Sequence, residues 1–188
     1  MLAVTLILAQ ASAPAATFQS AYDACRASAG YSCAGEWRGV TYDIERDGKA
    51  ASFKTAGATW RIGCKVDAME DTRSCVMTEK NASPYPMMIW ASSFPGVSLS
   101  IGYYGNSYPG STSSLRVDAS PAASVREDGV FNGVRSAALL SQMRNGTRLR
   151  VRAYDWPSNA SKDSEIDLAR FSAVLDAALV IRRAHGLR

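Results

Sequence analysis

Two periodicities divide the chain. In its middle, apolar residues recur at every second position in short runs. Trp60, Ile62, Cys64 and Val66 alternate with Thr59, Arg61, Gly63 and Lys65, the pattern of a half-buried strand. Cys75 and Met77 share a face of a second such run, "RSCVMT", and the polar stretch Asp67 to Thr72 turns the chain between the two. "WRGVTYDI" and "ASFKT" read as strands around an Arg46-Asp47-Gly48 turn. "PMMIWAS" is apolar on both faces and is expected to be a central strand, whereas "GVSLSIGYY" places Val97, Leu99, Ile101 and Tyr103 on one face. "SLRVD" is another short strand, after a Gly/Ser/Tyr loop.

The ends of the chain follow the helical period. Phe18, Ala21, Tyr22 and Cys25 fall at i, i+3, i+4 and i+7, and Gly30 stops that helix. Ala138, Leu139, Gln142 and Met143 predict a short helix ending at Gly146. "TRLRVRAYDW" returns to period two, with Leu149, Val151 and Ala153 inward and Arg148, Arg150 and Arg152 outward. In "SEIDLARFSAVLDAALVIRRAHG", Ser164 and Asp167 resemble a capping box, and Leu168, Phe171, Val174, Leu175, Ala178 and Leu179 form an apolar stripe. Arg182, Arg183 and His185 occupy its last turn, where cations complement the helix dipole, and Gly186 suits the position after the cap. The expected fold is mainly β: an antiparallel β-sandwich with an N-terminal helix and a packed C-terminal helix.

Composition sharpens this picture. A chain of 188 residues with 47% hydrophobic content is globular and sized for one domain. The net charge of +4 is uneven, with eleven basic and twelve acidic residues in 1–129 but ten and five in 130–188. That bias favours an anionic contact near the C-terminal part and is too weak for nucleic-acid binding. Leu2 to Ala9 is an apolar run of signal-peptide length, followed by the small-x-small patterns Ala9-Gln10-Ala11 and Ala13-Pro14-Ala15. No Lys or Arg precedes it, so its n-region is atypical. The expectation is a signal peptide over residues 1–16 and one domain over 17–188, soluble, periplasmic or secreted, with no transmembrane segment in the mature chain.

Four cysteines in an exported chain point to disulfides. Cys64 and Cys75 lie on facing strands of one hairpin, which leaves Cys25 and Cys33 to staple the first helix to the loop after it. A redox Cys-x-x-Cys is absent, and zinc spacing is lacking, with His185 the only histidine.

Catalytic signals are sparse. No Gly-x-Ser-x-Gly motif or phosphate-cradling glycine loop occurs. His185 reads as a helix-end cation, and the carboxylates at Asp43, Glu45, Asp47, Glu70 and Asp71 read as solvated turn charges without calcium-loop spacing. No cofactor or metal is expected. Two features suit binding: the Arg148, Arg150, Arg152 row, matched to anions, and Tyr103, Tyr104 and Tyr108 in a Gly/Ser loop.

Trp60-x-x-x-Cys64, an acidic turn, Cys75 near Met77, Asn145-Gly146 before a basic strand, and Asp167-Leu168-x-x-Phe171 together resemble the invasion-associated locus B family, exported proteins of Gram-negative bacteria. The family's frequent downstream cysteine pair is absent here, and Cys25 and Cys33 lie upstream instead. The resemblance implies an antiparallel β-sandwich, export, no enzymatic activity and, for some members, a role at the host cell surface. The function expected is a non-catalytic binding protein whose partner is a protein or an anionic glycan at the envelope or host surface. The alternatives are a periplasmic muramidase inhibitor and an enzyme of unknown class.

Overall fold

The computed structural model describes residues 17–28, 30–127 and 129–187. The segment 1–16, expected to be a signal peptide, lies outside them. Helix α1 (Phe18–Ala27) is capped by Thr17, whose hydroxyl accepts from the Ser20 amide. Seven strands then follow as a meander, each pairing antiparallel with the next: β1 (Ser32–Trp37), β2 (Val40–Glu45), β3 (Ala50–Lys54), β4 (Thr59–Asp67), β5 (Thr72–Glu79), β6 (Tyr85–Ala91) and β7 (Phe94–Gly102). A second sheet holds β8 (Thr112–Val117), β9 (Ala123–Arg126), β10 (Arg148–Asp155) and β11 (Ala160–Asp167) in the order β11-β10-β8-β9. Helix α2 (Gly133–Asn145) carries the chain from β9 to β10, and α3 (Phe171–Ala184) closes the fold. The molecule is mainly β, with two antiparallel sheets, as the alternation predicts.

Inward residues of both sheets and of all three helices join one hydrophobic cluster. Its centre is α3, which is buried on almost every side: Phe171, Val174, Ala178 and Ile181 are fully enclosed. The Phe171 ring meets Trp60 of β4 with centroids 4.7 Å apart. Phe18 of α1 packs against Trp37, Tyr42 and Phe53 on β1, β2 and β3. Ser136 of α2 is completely buried but satisfied, accepting from the Leu99 amide at 3.0 Å and donating to the Phe131 carbonyl at 2.9 Å.

Both disulfides form as spaced. Cys64 and Cys75 face each other in the β4–β5 register, and Cys25 of α1 joins Cys33 of β1, with Cα atoms 4.0 and 5.6 Å apart respectively. Gly48 turns between β2 and β3 at φ 69°, and its carbonyl receives the Tyr22 hydroxyl at 3.1 Å and lies 2.9 Å from His185 Nε2. One turn therefore anchors both α1 and the end of α3.

Three expectations are corrected. The segment from Ser164 to Asp167 is not a helical cap but part of β11, because its backbone completes the ladder with β10. Helix α3 starts only at Phe171, after Arg170 at φ 65°, with no side-chain cap. Strand β1, expected as the loop after the first helix, and β9, where the sequence assigns no element, are edge strands of short or weakly apolar composition.

Candidate binding face of the small sheet

The pleat of β10 puts Leu149, Val151 and Ala153 into the core and Arg148, Arg150 and Arg152 outside, as the sequence demands. The outer face of the small sheet is exposed to solvent. Register decides what meets the row. On one side β11 sets Asp167, Glu165 and Asp163 opposite Arg148, Arg150 and Arg152. On the other side β8 sets Arg116 opposite Arg150 and Ser114 opposite Arg152.

The arginines are held in different ways. Arg152 makes a two-pronged pair with Asp163, at 2.6 Å from both Nε and Nη2. The hydrogen bond from Arg152 holds the Asp163 carboxyl below the usual carboxylate range. Glu165 bridges the other two, with Oε1 3.1 Å from Arg148 Nε and Oε2 2.9 Å from Arg150 Nε. Each of those closest approaches uses an inner nitrogen, and the terminal nitrogens of Arg148 and Arg150 make no hydrogen bond among the described residues. Arg116 has no ion pair at all among the described residues, and neither does Arg126 on β9. The face thus carries five arginines against four carboxylates, of which Asp118 is bound to Thr147 and the Arg148 amide and Asp167 is partly spent on the Ala169 amide at 2.7 Å.

Two shallow grooves cross this surface. One, of about 420 Å³, runs between Arg116, Arg150, Arg152, Asp163 and Glu165. The other, about 380 Å³, lies between Arg116, Arg148, Arg150 and Asp118. Asp118 is fixed at the groove's end, accepting from the Thr147 hydroxyl at 2.7 Å and from the Arg148 amide at 2.9 Å. The Thr147 hydrogen bonds hold its carboxyl below the ordinary range.

The three loop tyrosines separate. Tyr104 is exposed and stacks on Tyr85 of β6, with centroids 4.7 Å apart. Tyr103 turns toward Asp155; burial, and then that hydrogen bond, push its hydroxyl pKa up. Only Tyr108 reaches the arginine-bearing face. The Tyr108 amide donates to the Tyr154 carbonyl at 2.9 Å and the Trp156 amide to the Asn106 carbonyl at 2.8 Å, so residues 106–108 extend the sheet beside the end of β10. Tyr108 then lies opposite Tyr154, and its ring meets Trp156 with centroids 5.6 Å apart. Sequence reasoning missed Arg116, Arg126 and Trp156. Their signal was present in part: Arg148, Arg150, Arg152, Tyr154 and Trp156 continue one period-two series. The position of Arg116 depends on which strand pairs with β10, and no local pattern specifies that.

Among the described residues, no cluster of three or more His, Cys, Asp or Glu side chains could hold a metal ion. None of their helices is long and apolar enough to cross a membrane. Compared with family models, curated proteins and solved structures, the chain matches none.

Proposed function

We propose that this is an exported, disulfide-stapled binding protein that takes an anionic partner on the outer face of its small sheet, without catalysis. Arg116 is the observation that carries the reading. A structural arginine on a sheet face normally has an acid across the strand, as Arg152 has Asp163. Arg116 instead faces Arg150, a like charge that Glu165 answers only on its far side, and an external anion between the two would relieve the remaining repulsion. The acids opposite the row weaken the simplest form of the idea, three free arginines. They support a narrower form, in which Glu165 orients Arg148 and Arg150 and leaves their terminal nitrogens for the partner.

Two disulfides and the apolar start of the sequence support an exported setting, periplasmic or secreted. The resemblance to the invasion-associated locus B family points the same way and extends the partner's place to the envelope or a host surface. The test is a pair of substitutions. Arg116→Ser with Arg150→Ser should leave the melting temperature nearly unchanged, because exposed pairs contribute only ~0–1 kcal/mol. Retention on a heparin column should fall, and its dependence on salt with it. Unaltered retention at wild-type stability would exclude this face. For export, mass analysis of protein recovered outside the cytoplasm should give a chain beginning between Ser12 and Thr17.

A further inference from the structure

The charged row does not end at Arg152. Tyr154 follows on the same face, and Trp156 follows Tyr154. The stretch from Arg148 to Tyr154 spans six residues of strand, about 20 Å. At the far end Trp156 is 49% exposed and sits beside Tyr108, so an uncovered ring surface lies in line with the guanidinium groups. What fills the rest of the face is equally telling. The outward positions of β8, β9 and β11 that are not charged are Thr112, Ser114, Ser124 and Ser161. No Leu, Ile, Val or Met points outward from these four strands. Interfaces between proteins have an apolar centre, and this face has none.

Resting on the reading of this face as an anion-binding surface, we infer that its partner is an acidic glycan chain laid along β10. A sugar ring stacks on Trp156 and Tyr108, and acidic substituents meet Arg116, Arg148 and Arg150. The physical match is direct. The carbon–hydrogen face of a sugar packs on an aromatic ring, its hydroxyls take hydrogen bonds from Ser, Thr and Asn side chains, and its carboxylates or sulfates take guanidinium forks. An acidic peptide would use the arginines and would have no need of the ring. A site stretched over this length also demands an oligomer, since a single acidic sugar reaches one end only.

The experiment measures affinity of the full chain for three probes: heparin oligosaccharides of graded length, polygalacturonate oligomers and polyglutamate. The variants are Trp156→Ala, Trp156→Phe and the Arg116→Ser, Arg150→Ser pair. Trp156 is half exposed, so its variants should fold, and unchanged circular dichroism verifies this. Trp156→Ala should weaken one or both glycans about tenfold, the scale of one lost ring contact. Trp156→Phe should restore most of the loss, and polyglutamate binding should not respond to either change. Affinity should also rise with oligosaccharide length and then level off. Heparin alone responding identifies sulfate as the recognised group, and both glycans responding identifies carboxylate as sufficient. If the arginine pair abolishes binding while Trp156→Ala changes nothing, the anionic face stands and the glycan inference fails in favour of an acidic protein. If wild-type protein binds none of the three probes, or the arginine pair changes no affinity, the functional reading of the face fails as well.

Discussion

Glu79 shows how one buried charge can organise a turn. It is 2% exposed, yet its carboxylate accepts from the backbone amides of Thr59 at 2.8 Å, Asn81 at 2.7 Å and Ala82 at 2.5 Å. Glu79→Ala strands three donors at the edge of the core and should cost about 3 kcal/mol in urea unfolding. A loss under ~1 kcal/mol would mean that water replaces the carboxylate. Asp163 offers a residue-scale test of the arginine face. Its folded pKa is depressed, so the stabilisation from its pair with Arg152 is present above the usual carboxylate range and is lost as pH falls through the lowered value. Sulfates remain charged there, so retention on heparin should rise in that window as Arg152 is released. Asp163→Asn should bring at pH 7 the stronger retention that the wild type reaches only in acid. Equal retention of variant and wild type at pH 7 would show that Arg152 takes no part. The sequence displayed the row and its inward partners because the pleat dictates them locally. It hid Glu165 and Asp163 because β11 does not read as a strand, and Arg116 because β8 lies far upstream of β10 and only the register brings the two together.

At the scale of elements, the hairpin of β4 and β5 was the most legible, since its alternation, polar turn and two cysteines agree with one another. Replacing Cys64 and Cys75 by Ala should lower stability by about 2–5 kcal/mol, measured by chemical unfolding under non-reducing conditions. An unchanged midpoint would show that the seven-stranded meander holds this hairpin by itself. Strand β11 was the least legible. Its outer residues are polar or charged, and only Ile166 is deeply buried, so its sequence lacks the alternation of a strand. Its pairing with β10 overrides the local helical signal of Ser164 and Asp167. The apolar stripe assigned to the last helix was nevertheless correct in composition: Leu168 is buried just before the helix, Phe171, Val174, Leu175 and Ala178 are buried within it, and Leu179 is partly buried.

At the scale of the whole molecule, each sheet is built from consecutive strands; α2 packs on β7 of one sheet and β8 of the other, and α3 packs on α1, α2 and β4 in the one core. Phe171→Ala removes the ring that fills the space against Trp60 and should cost about 3–5 kcal/mol. A smaller loss, read by thermal or urea unfolding, would mean that the core closes around the gap. The enclosure of α3 also has a consequence for time. Every strand precedes it in the chain, so Trp60 and Trp90 lack the cover of Phe171 and Arg182 until residues 171–184 arrive. A growing chain therefore cannot reach its final packing early: it locks only when its last helix is released. The same delay leaves apolar surface open in the meantime, a liability for association between unfinished chains.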